Sequence, residues 1–130
     1  MCGKLQKLNP SDGSEMWGYE VAGYIQQQPV LDKNGTLYFL THNSPTGAWN
    51  ADDIYAVNAD GSKKWSALLS GSNYGYLVIG VNGYLYTVTG NNTIANPYKL
   101  CAIDKTDGTL KASFIPPDGG SLYYYIVLGN

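Results

Sequence analysis

Charge is scarce in this chain. Basic residues number 8 and acidic residues 10, only 14% of 130 positions, and the formal charge is -2. A chain this lightly and evenly charged has no electrostatic footprint for nucleic acid or anionic lipid. Histidine occurs once, at His42, which excludes a multi-histidine metal site and leaves any nucleophile-base pair a single imidazole to draw on. The two cysteines, Cys2 and Cys101, are not adjacent, and Cys101 inside an apolar run reads as a buried free thiol. No apolar run approaches the roughly 20 residues of a membrane-spanning helix, so no membrane insertion is expected. The first residues also lack the basic, apolar and small-residue order of a secretion signal. Sustained helical periodicity is missing throughout. What is plentiful is turn and aromatic character, with 16 Gly and 12 Tyr, and this predicts a turn-rich all-β protein.

The chain repeats itself at about 48 residues. Lys4–Gly13 lines up without a gap on Lys99–Gly108, with Tyr55–Gly61 between them. Asp-Gly pairs begin at Asp12, Asp60 and Asp107, spacings of 48 and 47, and Trp17 returns as Trp65, each four residues after its glycine. Asn34-Gly35-Thr36-Leu37-Tyr38 returns 48 residues on as Asn82-Gly83-Tyr84-Leu85-Tyr86, and the run Val30-Leu31 as Val78-Ile79 and again in Ile126-Val127-Leu128. Self-similarity at this period points to stacked supersecondary units, and both ends read as cut from a longer periodic polymer.

Short apolar and β-branched runs predict eleven strands, at about 3–9, 14–21, 27–32, 36–42, 53–59, 62–68, 75–80, 84–89, 98–104, 109–114 and 123–128. The Asn-Gly and Asp-Gly pairs are expected as two-residue hairpin turns, which need the positive φ those residues supply. In an up-and-down meander the two kinds of turn share one edge. The longer connections, 42–52, 90–97, 22–27, 69–74 and 115–122, gather on the opposite edge, where binding usually lives. His42, Trp49, Tyr74, Asn91, Asn92 and Tyr98 in or beside those loops are the candidate binding residues. A four-stranded antiparallel unit of this length, unable to bury both faces of its sheet alone, is the blade of a β-propeller. About 2.7 repeats are present, with 1–22 ending one blade, 27–68 and 75–114 forming two whole blades, and 123–130 opening a fourth. Propellers typically need 4 to 8 blades, so this chain alone does not close a ring.

The segments Ala56–Trp65 and Ala102–Lys111 resemble the quinoprotein-type (PQQ-like) β-propeller repeat, Ala-x-Asp-x-x-(Thr/Asp)-Gly-x-x-x-Trp, which occurs in pyrroloquinoline quinone dehydrogenases and in a cofactor-free outer-membrane assembly lipoprotein. Ala112 stands where a third Trp is due, and Asn9 and Asn58 replace the first Asp. The resemblance implies a structural motif in which indoles dock neighbouring blades, and an extracytoplasmic, periplasmic or secreted setting. The calcium-quinone constellation of the enzymes has no counterpart here, so no cofactor is expected.

Other chemistry reads as ordinary structure. Asp32-Lys33-Asn34-Gly35, Asn58–Gly61 and Asp104–Gly108 look like calcium loops but lack the distal bidentate Glu, and turn formation accounts for them. His42 reads as a solvated loop residue and Asp52-Asp53 as a solvated strand start. Asn34-Gly35-Thr36 and Asn91-Asn92-Thr93 match a glycosylation acceptor pattern too short to carry weight. Tyr38, Tyr55, Tyr84, Tyr86 and Tyr98 are expected to pack between sheets, while Trp49 and Tyr123-Tyr124-Tyr125 are harder to bury together. The reading is a non-catalytic scaffold for a protein partner or for self-association through open edges; the alternatives are blades of a quinone-dependent dehydrogenase and a carbohydrate-binding propeller.

Overall fold

The structure, a computed structural model, describes residues 2–25, 27–42, 51–73, 75–91, 93–117 and 126. Every regular element among them is a strand: β1 (Cys2–Leu8), β2 (Glu15–Ala22), β3 (Tyr24–Ile25), β4 (Val30–Leu31), β5 (Leu37–His42), β6 (Ala51–Val57), β7 (Lys63–Ser70), β8 (Ser72–Asn73), β9 (Val78–Ile79), β10 (Tyr84–Gly90), β11 (Lys99–Asp104) and β12 (Leu110–Phe114). They form three antiparallel sheets, none of them closed. The first is β1-β2; the second runs β3-β5-β6-β7 with β4 also on β5; the third runs β8-β10-β11-β12 with β9 also on β10. The second and third sheets thus carry the same strand order one repeat apart, as the period requires.

Two expected strands are each replaced by a broken pair of short ones. Residues 27–32 give way to β3 and β4, and 75–80 to β8 and β9. The register explains the break. Between Ile25↔Thr41 and Val30↔Tyr38 the outer strand advances five residues while β5 advances three. Asn73↔Thr89 and Val78↔Tyr86 repeat the same mismatch. Two extra residues bulge out of the ladder at the same place in both repeats. At the second bulge Gly75 lies so close to Val88 that a Cβ would sit 3.0 Å from the Val88 backbone nitrogen. The strand expected at 123–128 lies outside the described residues except for Ile126.

The tight turns also differ from the two-residue form. Asp32 N donates to Thr36 O at 2.9 Å and Gly35 N to Asp32 O at 3.0 Å, with Gly80, Gly83 and Tyr84 repeating the pattern at 2.8 and 3.3 Å. Each is a three-residue loop whose last residue is a left-handed glycine, Gly35 at φ 80° and Gly83 at φ 86°. Of the Asp-Gly turns, the middle one also closes over three residues, between Asn58 and Ser62, while the first and third close over four. Asn9 N, Asn58 N and Asp104 N each donate at 2.8 Å across the loop, to Ser14 O, Ser62 O and Thr109 O. The carboxylates of Asp12, Asp60 and Asp107 each accept from both the backbone N and the hydroxyl two residues on, at 2.6 to 2.9 Å. This side-chain turn recurs in all three loops, the three-residue one and the two four-residue ones alike. A bulge follows each, at Lys7/Leu8, Ala56/Val57 and Ala102/Ile103, so Trp17, Trp65 and Ala112 stand at one register position opposite Lys7, Ala56 and Ala102.

The sheets stack on one another through two apolar layers. Between the first and second lie Val21, Phe39 and Val57, with Leu5, Trp17, Tyr19, Ile25 and Tyr55 packed around them. Between the second and third lie Tyr38, Leu40, Ile54, Ala56, Trp65, Leu69, Leu77, Leu85, Cys101 and Ile103. Alternation along β5 sends Phe39 one way and Tyr38 and Leu40 the other, which is how one sheet serves two layers. Cys101 is a free, buried thiol, as expected from its setting.

Candidate functional site

The tight turns carry the contacts that join sheet to sheet. At each junction the indole of one sheet crosses to the turn of the next. Trp17 Nε1 donates to Ala59 O at 3.0 Å and Trp65 Nε1 to Lys105 O at 3.0 Å. The ring lies on the glycine of the same turn; a Cβ on Gly61 would meet Trp17 at 2.8 Å, and one on Gly108 would meet Trp65 at 2.6 Å. Glycine is therefore doubly required there, for its positive φ of 89° and 79° and for the room the indole takes. The Asn-Gly and Asp-Gly turns do share an edge: Lys105 N donates to Gly83 O at 3.2 Å, and a Cβ on Gly35 would touch Ala59 at 2.9 Å.

At the second junction a polar cluster joins the indole. Asp32, 8% exposed, accepts from Asn34 N at 2.8 Å, Thr36 N at 3.0 Å and the Tyr38 hydroxyl at 3.3 Å, and the Lys105 ammonium stands 3.6 Å away. The Tyr38 hydroxyl also lies 3.3 Å from Lys105 O, and its ring is 5.9 Å from that of Trp65. Burial pushes the Asp32 carboxyl up, but the Thr36 and Asn34 amides, the Lys105 charge and the Tyr38 hydroxyl outweigh it and hold it below the ordinary carboxylate range. Tyr38 moves the other way, to about 12, because burial and the Asp32 charge both disfavour the phenolate. The cluster ties two sheets together and is fully engaged in doing so.

The sequence placed the candidate binding residues on the other edge, and three of the six are described. His42 is the last residue of β5, paired with Tyr24 and Asp52 and 8% exposed; it is a buried strand residue and not the solvated loop residue expected. The physical reason is that β5 runs on to meet both β3 and β6 and carries His42 under that corner. Asn91 and Tyr98, both half-buried, frame the loop between β10 and β11. Inside it Asn91 N donates to Asn96 O at 3.0 Å and Asn96 N to Thr93 O at 3.1 Å, while Ile94 projects fully into solvent. The side chains of Asn91 and Asn96 converge on Gly71, where a Cβ would lie within 2.9 Å of each. The structure thus brings Asn91 together with the β7–β8 connection. Trp49, Tyr74 and Asn92 lie outside the described residues.

Among the described residues no group of three or more His, Cys, Asp and Glu is arranged to hold a metal ion. Burial pushes the Cys101 thiol up, which opposes formation of the reactive thiolate. Of the tyrosines expected between sheets, Tyr38 is fully buried and Tyr55 stacks on Phe39 with ring centres 5.4 Å apart. Tyr86 is half-buried and accepts from Asn82 Nδ2 at 2.7 Å. Reading by residue type missed the interlocking role of Asp32 and Lys105, because their contact spans the repeat boundary. The recurrent Ser or Thr after each Asp-Gly was the signal for the three side-chain turns. No protein-family model matches the chain, and no curated protein does.

Proposed function

We propose that this chain is a run of β-propeller blades of the quinoprotein-repeat type that serves as a non-catalytic scaffold, binding a protein or ligand through the long connections opposite the tight turns, both those within each blade and those between blades. The observation that carries the reading is the recurrence of one inter-sheet contact. Two indoles 48 residues apart donate at the same 3.0 Å to the turn of the following sheet, as expected where like sheets stack by a repeated rotation. Support for binding comes from the distribution of groups. The turn edge is taken up by inter-sheet hydrogen bonds, whereas on the loop edge Ile94 projects fully into solvent between Asn91 and Tyr98.

The test is affinity capture from an envelope extract of the source organism, comparing the native chain with an Asn91→Ala/Tyr98→Ala double variant of unchanged melting temperature. A protein held by the native chain and released by the variant supports the reading. Identical capture by both, or redox activity toward alcohols when the native chain is supplied with calcium and a quinone, counts against it.

A further inference from the structure

We propose that the outer edge of β1 and the groove beside it form a strand-accepting site, taking an extended apolar segment of the β5 type with a carboxylate placed to meet Lys7. This rests on the stacked-blade reading, and its occupant is a β5-type strand of a partner protein with a carboxylate where this chain has Tyr38 and Tyr86, not a second copy of this chain.

The inference comes from laying one junction over the other. In the second and third sheets the inner strands, β6 and β11, are paired on both sides, β6 by β5 and β7 and β11 by β10 and β12. Their counterpart β1 is paired by β2 alone among the described residues. Its far edge presents a row of backbone donors and acceptors without a ladder, the ordinary basis of strand addition. Beside that edge lies a cavity of about 450 Å³, lined by Leu5, Lys7, Leu8, Pro29, Leu31 and Leu37 among others. One repeat on, the residues in the places of Pro29, Leu31 and Leu37 are Leu77, Ile79 and Leu85. There Leu77 and Leu85 are buried, at 4% and 0% exposed, because Val30, Tyr38 and Leu40 from β4 and β5 lie over them. At the first junction nothing described plays that part, and Leu31 and Leu8 stand 63% and 53% exposed. Among the described residues nothing fills the groove, and its shape and lining match the seat of a β5-type strand and its apolar side chains.

Lys7 sets the polarity of the occupant. At the second junction the turn carbonyl of Lys105 receives Trp65 and lies beside the Tyr38 hydroxyl; at the first the equivalent carbonyl of Ala59 receives Trp17 and the Lys7 ammonium, at 3.4 Å. The lysine has taken the tyrosine's place at that carbonyl. Lys4, by contrast, is already bound to Glu15 at 2.8 Å. Lys7 therefore brings to an apolar groove a positive charge that no carboxylate among the described residues meets, and a carboxylate opposite it, where β5 has Tyr38 opposite Ala56, is the complementary group.

The probe is a synthetic peptide of residues 36–42 carrying Tyr38→Glu and a solubilising tail, with the unsubstituted peptide and a scrambled one as comparisons, added to the native chain. Saturable binding with slowed hydrogen exchange at β1 amides is expected, together with about threefold weaker binding of the Glu peptide to Lys7→Ala and no such loss for the Tyr peptide. A Leu31→Asp variant, which charges the groove without touching the β1 backbone, is expected to abolish binding of both. Protection at β12 in place of β1, equal binding of the scrambled peptide, or indifference to Leu31→Asp overturns the proposal. Concentration-dependent protection of β1 in the chain alone, with no peptide present, also overturns it, in favour of a second copy. The loop-edge reading is untouched by any of these results, since Asn91→Ala/Tyr98→Ala leaves peptide binding unchanged if the two sites are separate.

Discussion

The two junctions have the same backbone plan and are filled by different means. Between the first and second sheets the space is taken by aromatics: Tyr19 meets Tyr55 edge-on at 6.3 Å and Tyr55 stacks on Phe39 at 5.4 Å. Between the second and third the equivalent positions are Ala67, Cys101 and Thr87, and the volume is supplied by Tyr38 and Leu40 from the second sheet and Leu77 from the third. The layer is thus conserved as a filled volume, while the side chains that fill it are exchanged across it. What does not change is the indole on the turn glycine. The repeat fixes the hinge of the stack and leaves its filling free, and the second junction, with five strands on each side, is the one expected to carry more of the stability.

The sharpest way to break this comparison is to delete each indole. Trp65 is 8% exposed and touches Tyr38 and the Lys105 turn, so Trp65→Ala is expected to cost about 3–5 kcal/mol by chemical denaturation. Trp17 makes the same hydrogen bond but is only half-buried, so Trp17→Ala is expected to cost about 1–2 kcal/mol. Equal losses would mean that the hydrogen bond, common to both, dominates over burial.

Glycine substitutions separate strain from collision. Gly83 has a φ of 86° and open space around a new Cβ, so Gly83→Ala is expected to show the conformational penalty alone, about 1 kcal/mol. Gly108 has a similar φ of 79°, but its Cβ would run into the Trp65 ring, so Gly108→Ala is expected to cost about 2–3 kcal/mol. In the Trp65→Ala background the excess should vanish, because the collision has gone. A surviving excess in that double variant would show that the turn itself, and not the indole, dictates glycine.

The strand pattern and the period were readable because both are local properties: alternation along β5, β6, β10 and β11, and Gly or Asp at fixed offsets. The bulges between β3 and β4 and between β8 and β9 were not, since a ladder mismatch depends on the partner strand as well as the strand itself. The Asp-Gly turns were located correctly and given the wrong length, because the serine or threonine that rebuilds each loop was read as ordinary polar residue. His42 was misplaced for a related reason: its neighbours Thr41 and Asn43 are polar, but Thr41 is buried in β5 by its register. The edge carrying the loops followed from strand order alone; the Asp32–Lys105 cluster joins residues of two repeats and has no trace within either.

Acid should expose that cluster. The Asp32 carboxyl is held below its ordinary range in the folded chain, so its contribution is present above that range and lost as the pH falls through the folded value. Tyr38 has the opposite sign: its contribution is complete below pH 10 and lost as the pH rises toward about 12. Asp32→Ala, which strands the amides of Asn34 and Thr36, is expected to cost about 1–3 kcal/mol at neutral pH and to flatten the acid limb of a stability-pH curve. The variant will not remove that limb, because Asp12, Asp60, Asp104 and Asp107 are also held low by donors in their own turns. An unchanged acid limb would assign acid sensitivity to those turns and remove any special role for the second junction.

The smallest effect is the most discriminating. Ala112 occupies the register position of Trp17 and Trp65, on the outer face of the third sheet beside Tyr86, Leu100 and Phe114. Ala112→Trp restores the missing indole, yet among the described residues no further turn lies beyond it to receive the N–H or seat the ring. Its value at the other two positions comes from what it reaches, so here the expected change is within about 0.5 kcal/mol, as for an ordinary exposed site. A gain well above that would mean that the indole stabilises its own sheet. The difference between the junctions would then lie in the side chain each sheet brings, and not in the turn that receives it.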